Sequence, residues 1–90
     1  MLHFRPPGQS KRQRNAICWV AEMINEPGVG GMLVASIVIW LIMDEAHIGT
    51  LAVKPGYRRQ GIAQELLAGS LLEAYQRGAQ RAMLEVRESN

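Results

Sequence analysis

Residues 53–63, VKPGYRRQGIA, carry an apolar strand through a loop of arginines and glycines into an amphipathic helix. The first backbone N–H groups of a helix have no partner within it, and the aligned peptide dipoles give this end partial positive charge. Gly61 lets a phosphate approach the backbone closely, while Arg58 and Arg59 offer paired donors to phosphate oxygens. This junction therefore predicts an anion site suited to a ligand with a pyrophosphate.

The surrounding chain separates this interpretation from a plain turn. A glycine among polar residues at a helix start is most often only a turn, so the loop pattern is weak by itself. The apolar residues Ile48, Leu51, Ala52 and Val53 lead into the loop, however, and a further strand over 81–87 follows the helix. A strand–loop–helix–strand order favours the phosphate interpretation.

Periodicity and turn residues predict four strands and one helix. The strands are expected at 16–24, 33–41, 46–53 and 79–87, and the helix at 61–77. The first two strands should pair as a hairpin across the glycine-rich turn, and the short crossover should make the last two parallel. Gly78 fits a left-handed helix end. The predicted apolar face of the helix comprises Ile62, Leu66, Leu67, Leu71, Leu72, Ala74 and Tyr75.

Size, charge and cysteine content set the class of protein. The 90 residues suffice for one small domain, and 48% hydrophobic residues indicate a globular chain. The single cysteine, Cys18, gives no sign of secretion and is expected to be a small buried apolar residue. The apolar run at 32–43 is too short to span a membrane. No Cys/His spacing indicates a metal site, and a cytoplasmic protein is expected.

The first 15 residues are predicted to be a basic, disordered arm, with one domain over residues 16–90. The first 14 residues contain Arg5, Lys11, Arg12 and Arg14 and no acid, so they carry +4 while the whole chain carries +2. Two interpretations stay open for this arm. It contacts nucleic acid or a ribosome, or, as we favour, it is a solvated tail or a non-native leader sequence. Direct nucleic-acid binding and membrane binding by the domain are not expected.

The loop resembles the acyl-CoA loop of the GNAT acetyltransferases, Q/R-x-x-G-x-G/A, with Arg58 first, Gly61 in the middle and Ala63 last. The flanking segments 47–55 (HIGTLAVKP), 77–79 (RGA) and 84–90 (LEVRESN) are similar to the RimI type, which acetylates the N-terminal alanine of a ribosomal protein. The resemblance is dense from 44 to 90. It implies an α+β or α/β chain with a partial GNAT fold: a mixed sheet of about four strands, a hairpin and then β-α-β, with one main helix.

This resemblance also implies a cofactor and its contacts. Acetyl-CoA would place its pyrophosphate on Arg58, Arg59, Gln60, Gly61, Ile62 and Ala63. Its pantetheine arm would fill a gap where the third strand diverges from the last, against main-chain groups of Leu51, Ala52 and Val53. Asn90 matches a family position that touches the cofactor. An acetyl-CoA-dependent N-acetyltransferase acting on a protein N-terminus is the implied function, with a ribosomal protein as the implied acceptor.

Glu85 is the implied general base. Spacing alone favours an exposed strand carboxylate paired with Arg87, and the similarity of residues 84–87 to the family's Leu-Glu-Val-Arg segment reverses that preference. The family's general acid is a tyrosine beyond the Ser89–Asn90 pair. Tyr57, expected to be partly exposed in the loop, and Tyr75, expected to pack on the helix, do not match that position.

The resemblance further implies elements that we expect this chain to lack. They are a strand and two helices before the hairpin, and a helix and two strands after the last strand. Three functions therefore remain: an N-acetyltransferase, a CoA-binding module without catalysis, and an inactive remnant. One sheet face is expected to be uncovered and to offer a surface for self-association.

Overall fold

The computed structural model describes residues 2–5, 15–25 and 30–89, with side chains described as far as Leu84 in the last strand. Among these residues the elements follow in the order β1 Leu2–Arg5, β2 Ala16–Met23, β3 Met32–Ile42, β4 Glu45–Val53, a 3₁₀ turn Pro55–Tyr57, α1 Ile62–Gln76 and β5 Arg81–Ser89. The predicted fold class, a mixed sheet with one main helix, is therefore confirmed.

The strands form one sheet in the order β1-β2-β3-β4-β5. The first three pairings are antiparallel, with Trp19 opposite Ile37 and Ile37 opposite Leu51, and β4 pairs with β5 in parallel. Both the predicted hairpin and the predicted parallel crossover are thus confirmed.

Strand β1 corrects the prediction of a disordered N-terminal arm. Leu2–Arg5 pairs antiparallel with β2, Leu2 and Phe4 pack against the core, and Arg5 forms an ion pair with Glu22 at 3.3 Å. The arm prediction is therefore wrong for residues 2–5, and so is the expectation that no strand precedes the hairpin. Residues 6–14 lie outside the described residues.

Both ends of α1 depend on glycines with positive φ. Gly61 precedes the helix at φ +78°, and Gly78 follows it at φ +107°. At the C-terminal end the N–H of Gly78 donates to the carbonyl of Tyr75 and the N–H of Ala79 to that of Ala74, each at 3.0 Å. This is the Schellman arrangement, and it explains why a glycine ends the helix.

Trp19 fixes α1 against the sheet. A Cβ at Gly69 would lie 2.8 Å from Cζ3 of Trp19. Only a glycine at this position lets the helix approach the indole so closely. The indole Nε1 donates to Oε1 of Glu73 at 2.7 Å, and Glu73 also pairs with Arg77 at 2.6 Å. Beneath the helix lies the buried core of Ile17, Ala21, Val34, Ile37, Ile39, Ile48, Ile62 and Leu66.

Side chains alternate between the two sheet faces, so the residues adjacent to those beneath α1 lie on the opposite face. We call this the open face; in β2–β4 it carries Cys18, Val38, Trp40, Ile42 and His47. Cys18 is exposed there, which corrects the expectation that it is buried. Tyr75 is 72% exposed and Leu72 is also exposed, so neither belongs to the packed helix face, whereas Ser70 is buried in it.

Candidate functional site

The loop between β4 and α1 is built from unusual backbone conformations. Tyr57 N–H donates to the carbonyl of Lys54 at 2.9 Å and closes the turn that Pro55 begins. Arg58 is then extended, Arg59 has φ +62° and Gly61 has φ +78°. A left-handed arginine is uncommon, and such conformations concentrate at functional sites. The loop therefore has a fixed shape that its residue types alone do not favour.

The N-terminus of α1 has no side-chain cap. Gly61 has no side chain to donate or accept, and the first intrahelical bond runs from Glu65 N–H to the Gly61 carbonyl at 3.1 Å. Among the described residues, the backbone hydrogen bonds at this helix start include none donated by the N–H groups of Ile62, Ala63 or Gln64. Uncapped N–H groups at the positive end of a 15-residue helix attract an anion.

These groups border a cleft of about 440 Å³. A half-buried Arg58 and an exposed Arg59 lie on the loop side, and Gly61 has open space within 4 Å of where a Cβ would stand. The cleft is lined by Val53, Tyr57, Arg58, Arg59, Gly61, Ile62, Ala63 and Gln64. Five of the six predicted pyrophosphate residues thus lie together, and the sixth, Gln60, is exposed with its amide 3.5 Å from the Gly56 carbonyl.

The predicted gap between β4 and β5 is not observed. Thr50 pairs with Arg87, Leu51 with Glu88 and Ala52 with Ser89, so the ladder continues almost to the end of β4. Main-chain groups of Leu51 and Ala52 therefore face strands on both sides, whereas Val53 lies past the last pair. The expectation of diverging strands is wrong for this structure, because β5 stays in register after one irregularity.

That irregularity lies at Gly49, which sequence reasoning did not single out. The register shifts between Ile48 and Thr50 against both neighbouring strands, so Gly49 is a bulge residue in β4. On β5, Glu85 and Val86 occupy the interval between the partners of Ile48 and Thr50. An isolated glycine within a strand pattern is the signal that could have predicted this bulge.

Two of the predicted site groups lie outside the described residues: the side chain of Glu85 and the whole of Asn90. The backbone of β5 places Glu85 beside the Gly49 bulge. Tyr57 is half-buried and packs against the core, as expected for a partly exposed loop residue, and Tyr75 lies away from the cleft lining. The roles of all these residues stay predictions.

Other polar groups form local pairs. His47 Nε2 lies 2.9 Å from Oε1 of Glu45, and Arg81 pairs with Asp44 at 3.3 Å. Within the described ranges, no three His, Cys, Asp or Glu side chains gather as metal ligands. No helix in that same part of the chain is long and apolar enough to cross a membrane.

The profile of the acetyltransferase (GNAT) family matches residues 3–90, including residues 3–5 of strand β1 within the predicted arm. The chain belongs to the GNAT acetyltransferase family. Over 60 residues it is 38% identical to the [ribosomal protein bS18]-alanine N-acetyltransferase of Escherichia coli K12, which covers 67% of this chain and 40% of the relative. A Bacillus subtilis relative provisionally given the same name is 40% identical over 52 residues, 58% of this chain and 34% of the relative.

Solved structures support the same fold. The ribosomal-protein-S18-alanine N-acetyltransferase of Escherichia coli superposes with a TM-score of 0.73 at 21% identity, covering all of this chain and 70% of that one. The PaiA N-acetyltransferase of Thermoplasma acidophilum, in complex with coenzyme A, gives 0.66 at 20% identity over 78% of this chain and 40% of that one. The chain thus matches less than half the length of the curated relatives.

Proposed function

We propose that this GNAT chain transfers acetyl from acetyl-CoA to the amine of a protein N-terminus. The observation that carries the proposal is the cleft at the uncapped start of α1, with Gly61 at its mouth. A doubly charged pyrophosphate suits N–H groups that have no backbone acceptor in the described chain, and the two arginines add charge around them. The coenzyme A complex of a structural neighbour is consistent with this ligand class.

The cofactor would then run from the cleft toward the bulge. Val53 borders the cleft and Gly49 lies four residues back along β4, about 13 Å at the usual rise of a strand. An extended pantetheine arm bridges a distance of this order, so the thioester would lie beside Gly49. We propose that main-chain groups from the bulge through Leu51, Ala52 and Val53 contact the arm and the thioester oxygen.

In the reaction, the amine nitrogen bonds to the acetyl carbon while the carbon–sulfur bond breaks. One proton leaves the amine and passes to Glu85, and the departing CoA thiolate takes up a proton to leave as the thiol. We propose Glu85 as the base because β5 brings its backbone beside the bulge. Asn90 is proposed as a further cofactor contact.

The acceptor is proposed from the curated relatives. They are named for the N-terminal alanine of ribosomal protein bS18, so an alanine N-terminus of a ribosomal protein is the first acceptor to test, in a cytoplasmic setting. A CoA-binding module without catalysis is the second candidate. The cleft at the start of α1 favours it, because that cleft would hold the pyrophosphate while the β4–β5 ladder keeps the rest of the cofactor from the proposed reaction centre.

Calorimetry with acetyl-CoA is the first experiment, and saturable binding is expected. Release of CoA thiol with an alanine-starting peptide then separates the enzyme from the module, and absence of saturable binding leaves only an inactive remnant. The variant Glu85→Gln should slow turnover more at neutral pH than at high pH, where free amine is abundant without a base. An unchanged rate at neutral pH removes Glu85 from the mechanism.

A further inference from the structure

Trp40 lies against the bulge from the side opposite α1. A Cβ built at Gly49 would meet Cδ1 of Trp40 at 3.2 Å and its Nε1 at 3.3 Å, so the indole packs on the bulge backbone. The side chain of Trp40 is nevertheless 43% exposed on the open face. An aromatic ring is therefore held against the glycine while much of its surface remains in water.

This position adjoins the proposed reaction centre from its free side. The pyrophosphate cleft lies at the α1 end of β4, and α1 covers the other face of the sheet. If the cofactor reaches Gly49 along β4, an acceptor that approaches from the open face meets Trp40 and His47, which stand opposite each other in the β3–β4 ladder. The open face thus gives an amine access that the helix does not block.

The described carboxylate of β4 is already paired, so the indole of Trp40 is the group on the open face that can attract a cation. Glu45, the one carboxylate within β4, already lies 2.9 Å from His47 and 3.9 Å from Arg81. An N-terminal amine has a pKa of about 7.7–8.0 and arrives largely as an ammonium at neutral pH. Tryptophan is the aromatic side chain that attracts such a cation most strongly.

We propose that Trp40 is an acceptor-binding residue and that its indole receives the protonated α-amine of a peptide before the proton is lost. The proposal rests on the proposed N-acetyltransferase function. It assigns the acceptor class as a peptide with a free N-terminal amine, because the Glu45 carboxylate on β4 is already paired with His47 and the indole is the remaining surface for a cation. Because Gly49 has no side chain, the indole can pack directly on the backbone of the bulge.

The test compares two peptide analogues that cannot be acetylated. One carries a trimethylammonium group at its N-terminus, and the other a neutral tert-butyl group of the same shape. Calorimetry in the presence of acetyl-CoA measures the dissociation constant of each for the wild type, Trp40→Leu and Trp40→Phe. The matched control is Ile42→Ala, because Ile42 lies on the same strand and face and is 51% exposed, but it pairs with Glu45, four residues from Gly49.

For the wild type we expect the cationic analogue to bind about three- to tenfold more tightly than the neutral one, as a partly exposed cation–π contact allows. The preference should fall to about one in Trp40→Leu, persist in part in Trp40→Phe and be unchanged in Ile42→Ala. An equal preference in the wild type and Trp40→Leu overturns the proposal.

Two further measurements keep the possible failures apart. If the wild type does not bind acetyl-CoA, the proposed function and this inference are removed together. If CoA still binds but the preference for the cationic analogue is the same in the wild type and Trp40→Leu, only the inference about Trp40 is removed. Sedimentation at the calorimetry concentrations tests whether a second copy covers the open face, and burial of Trp40 in such a dimer contradicts an acceptor site there.

Discussion

Replacing Gly61 by alanine tests the anion site with a control that the chain itself provides. Gly61 and Gly78 both have positive φ, at +78° and +107°, and a Cβ at either position would have nothing within 4 Å. Neither substitution creates a clash, so the cost in each case comes from the backbone conformation. Gly61 lines the cleft, and Gly78 ends the same helix outside the cleft lining.

The expected stability loss follows from the left-handed conformation. An L-residue there costs about 1–2 kcal/mol, which for a domain of this size lowers the melting temperature by roughly 4–16 °C. Both Gly61→Ala and Gly78→Ala should show a loss of this order by thermal unfolding. Stability alone therefore does not distinguish the two glycines.

Affinity for acetyl-CoA should distinguish them. A methyl group at position 61 would project into the space through which a phosphate approaches the N–H groups of Ile62 and Ala63. Losing one or more hydrogen bonds to a charged group costs about 1.5–3 kcal/mol of binding free energy. The dissociation constant should therefore rise roughly tenfold to hundredfold. Gly78→Ala should bind as the wild type does, provided that calorimetry is run well below its melting temperature.

Tight binding by Gly61→Ala would refute the assignment of the cleft. Equal weakening in both variants would also refute it, because the effect would then follow from the stability of α1. Only a selective loss at Gly61, with matched stability losses, supports a phosphate at this helix start.

Three further predictions follow from packing, titration and the β4–β5 ladder. Gly69→Ala should lower the free energy of unfolding measured in urea. Overpacking against Trp19 costs about 1–3 kcal/mol, whereas the better helix propensity of alanine stabilises by about 1 kcal/mol. A more stable variant would show that the contact between Gly69 and Trp19 is not tight. Cys18 is exposed, but partial desolvation raises the pKa of its thiol, so stability that is present below the ordinary pKa should fall as pH rises from there through the raised value. Alkylation at pH 8 should accordingly be slower than that of free cysteine, and an equal rate would contradict the shift. Acetyl-CoA should change hydrogen-exchange protection of the Leu51 and Ala52 amides and not of β2, and unchanged protection would exclude an arm bound along β4.

The strand–loop–helix junction could be predicted because its causes are local. Pro55 interrupts the strand, a glycine with positive φ precedes the helix, and Gly78 satisfies the last carbonyl groups. Each of these acts within a few residues of itself, so a short pattern carries the information. The parallel β4–β5 pairing followed from the same segment, because a right-handed crossover leaves few alternatives.

Burial on α1 was harder to predict because it depends on where the helix crosses the sheet. The helix packs on β2, β3 and β4, so Leu72 and Tyr75 are exposed although they continue the apolar pattern. Ser70 is fully buried, and its hydroxyl donates to the Leu66 carbonyl at 2.6 Å, which removes most of the cost of a buried polar group. Hydrophobic spacing alone gives no sign of that internal bond.

The two sheet faces and strand β1 show the same limit. Cys18 and Trp19 are neighbours with opposite environments, and the sequence does not state which face the single helix covers. Strand β1 was missed because four basic residues and no acid among the first 14 residues favoured a disordered arm. Leu2 and Phe4, which alternate with His3 and Arg5, were the signal that could have predicted it.

The β4–β5 ladder sets the conditions under which this chain can bind the cofactor. Between the cleft at Val53 and the bulge at Gly49, three residue pairs join β4 to β5. A pantetheine arm that uses main-chain groups along this interval must replace part of that pairing, at a cost of about 0.5–1.5 kcal/mol for each hydrogen bond. The apparent dissociation constant then equals the intrinsic one divided by the fraction of molecules in which the end of β5 is displaced, so it rises as that fraction falls. Affinity should therefore depend on two separable features, the phosphate groups at the α1 start and the ease with which residues 87–89 leave β4. Weak binding with an intact Gly61 effect would locate the deficit in the ladder and not in the loop.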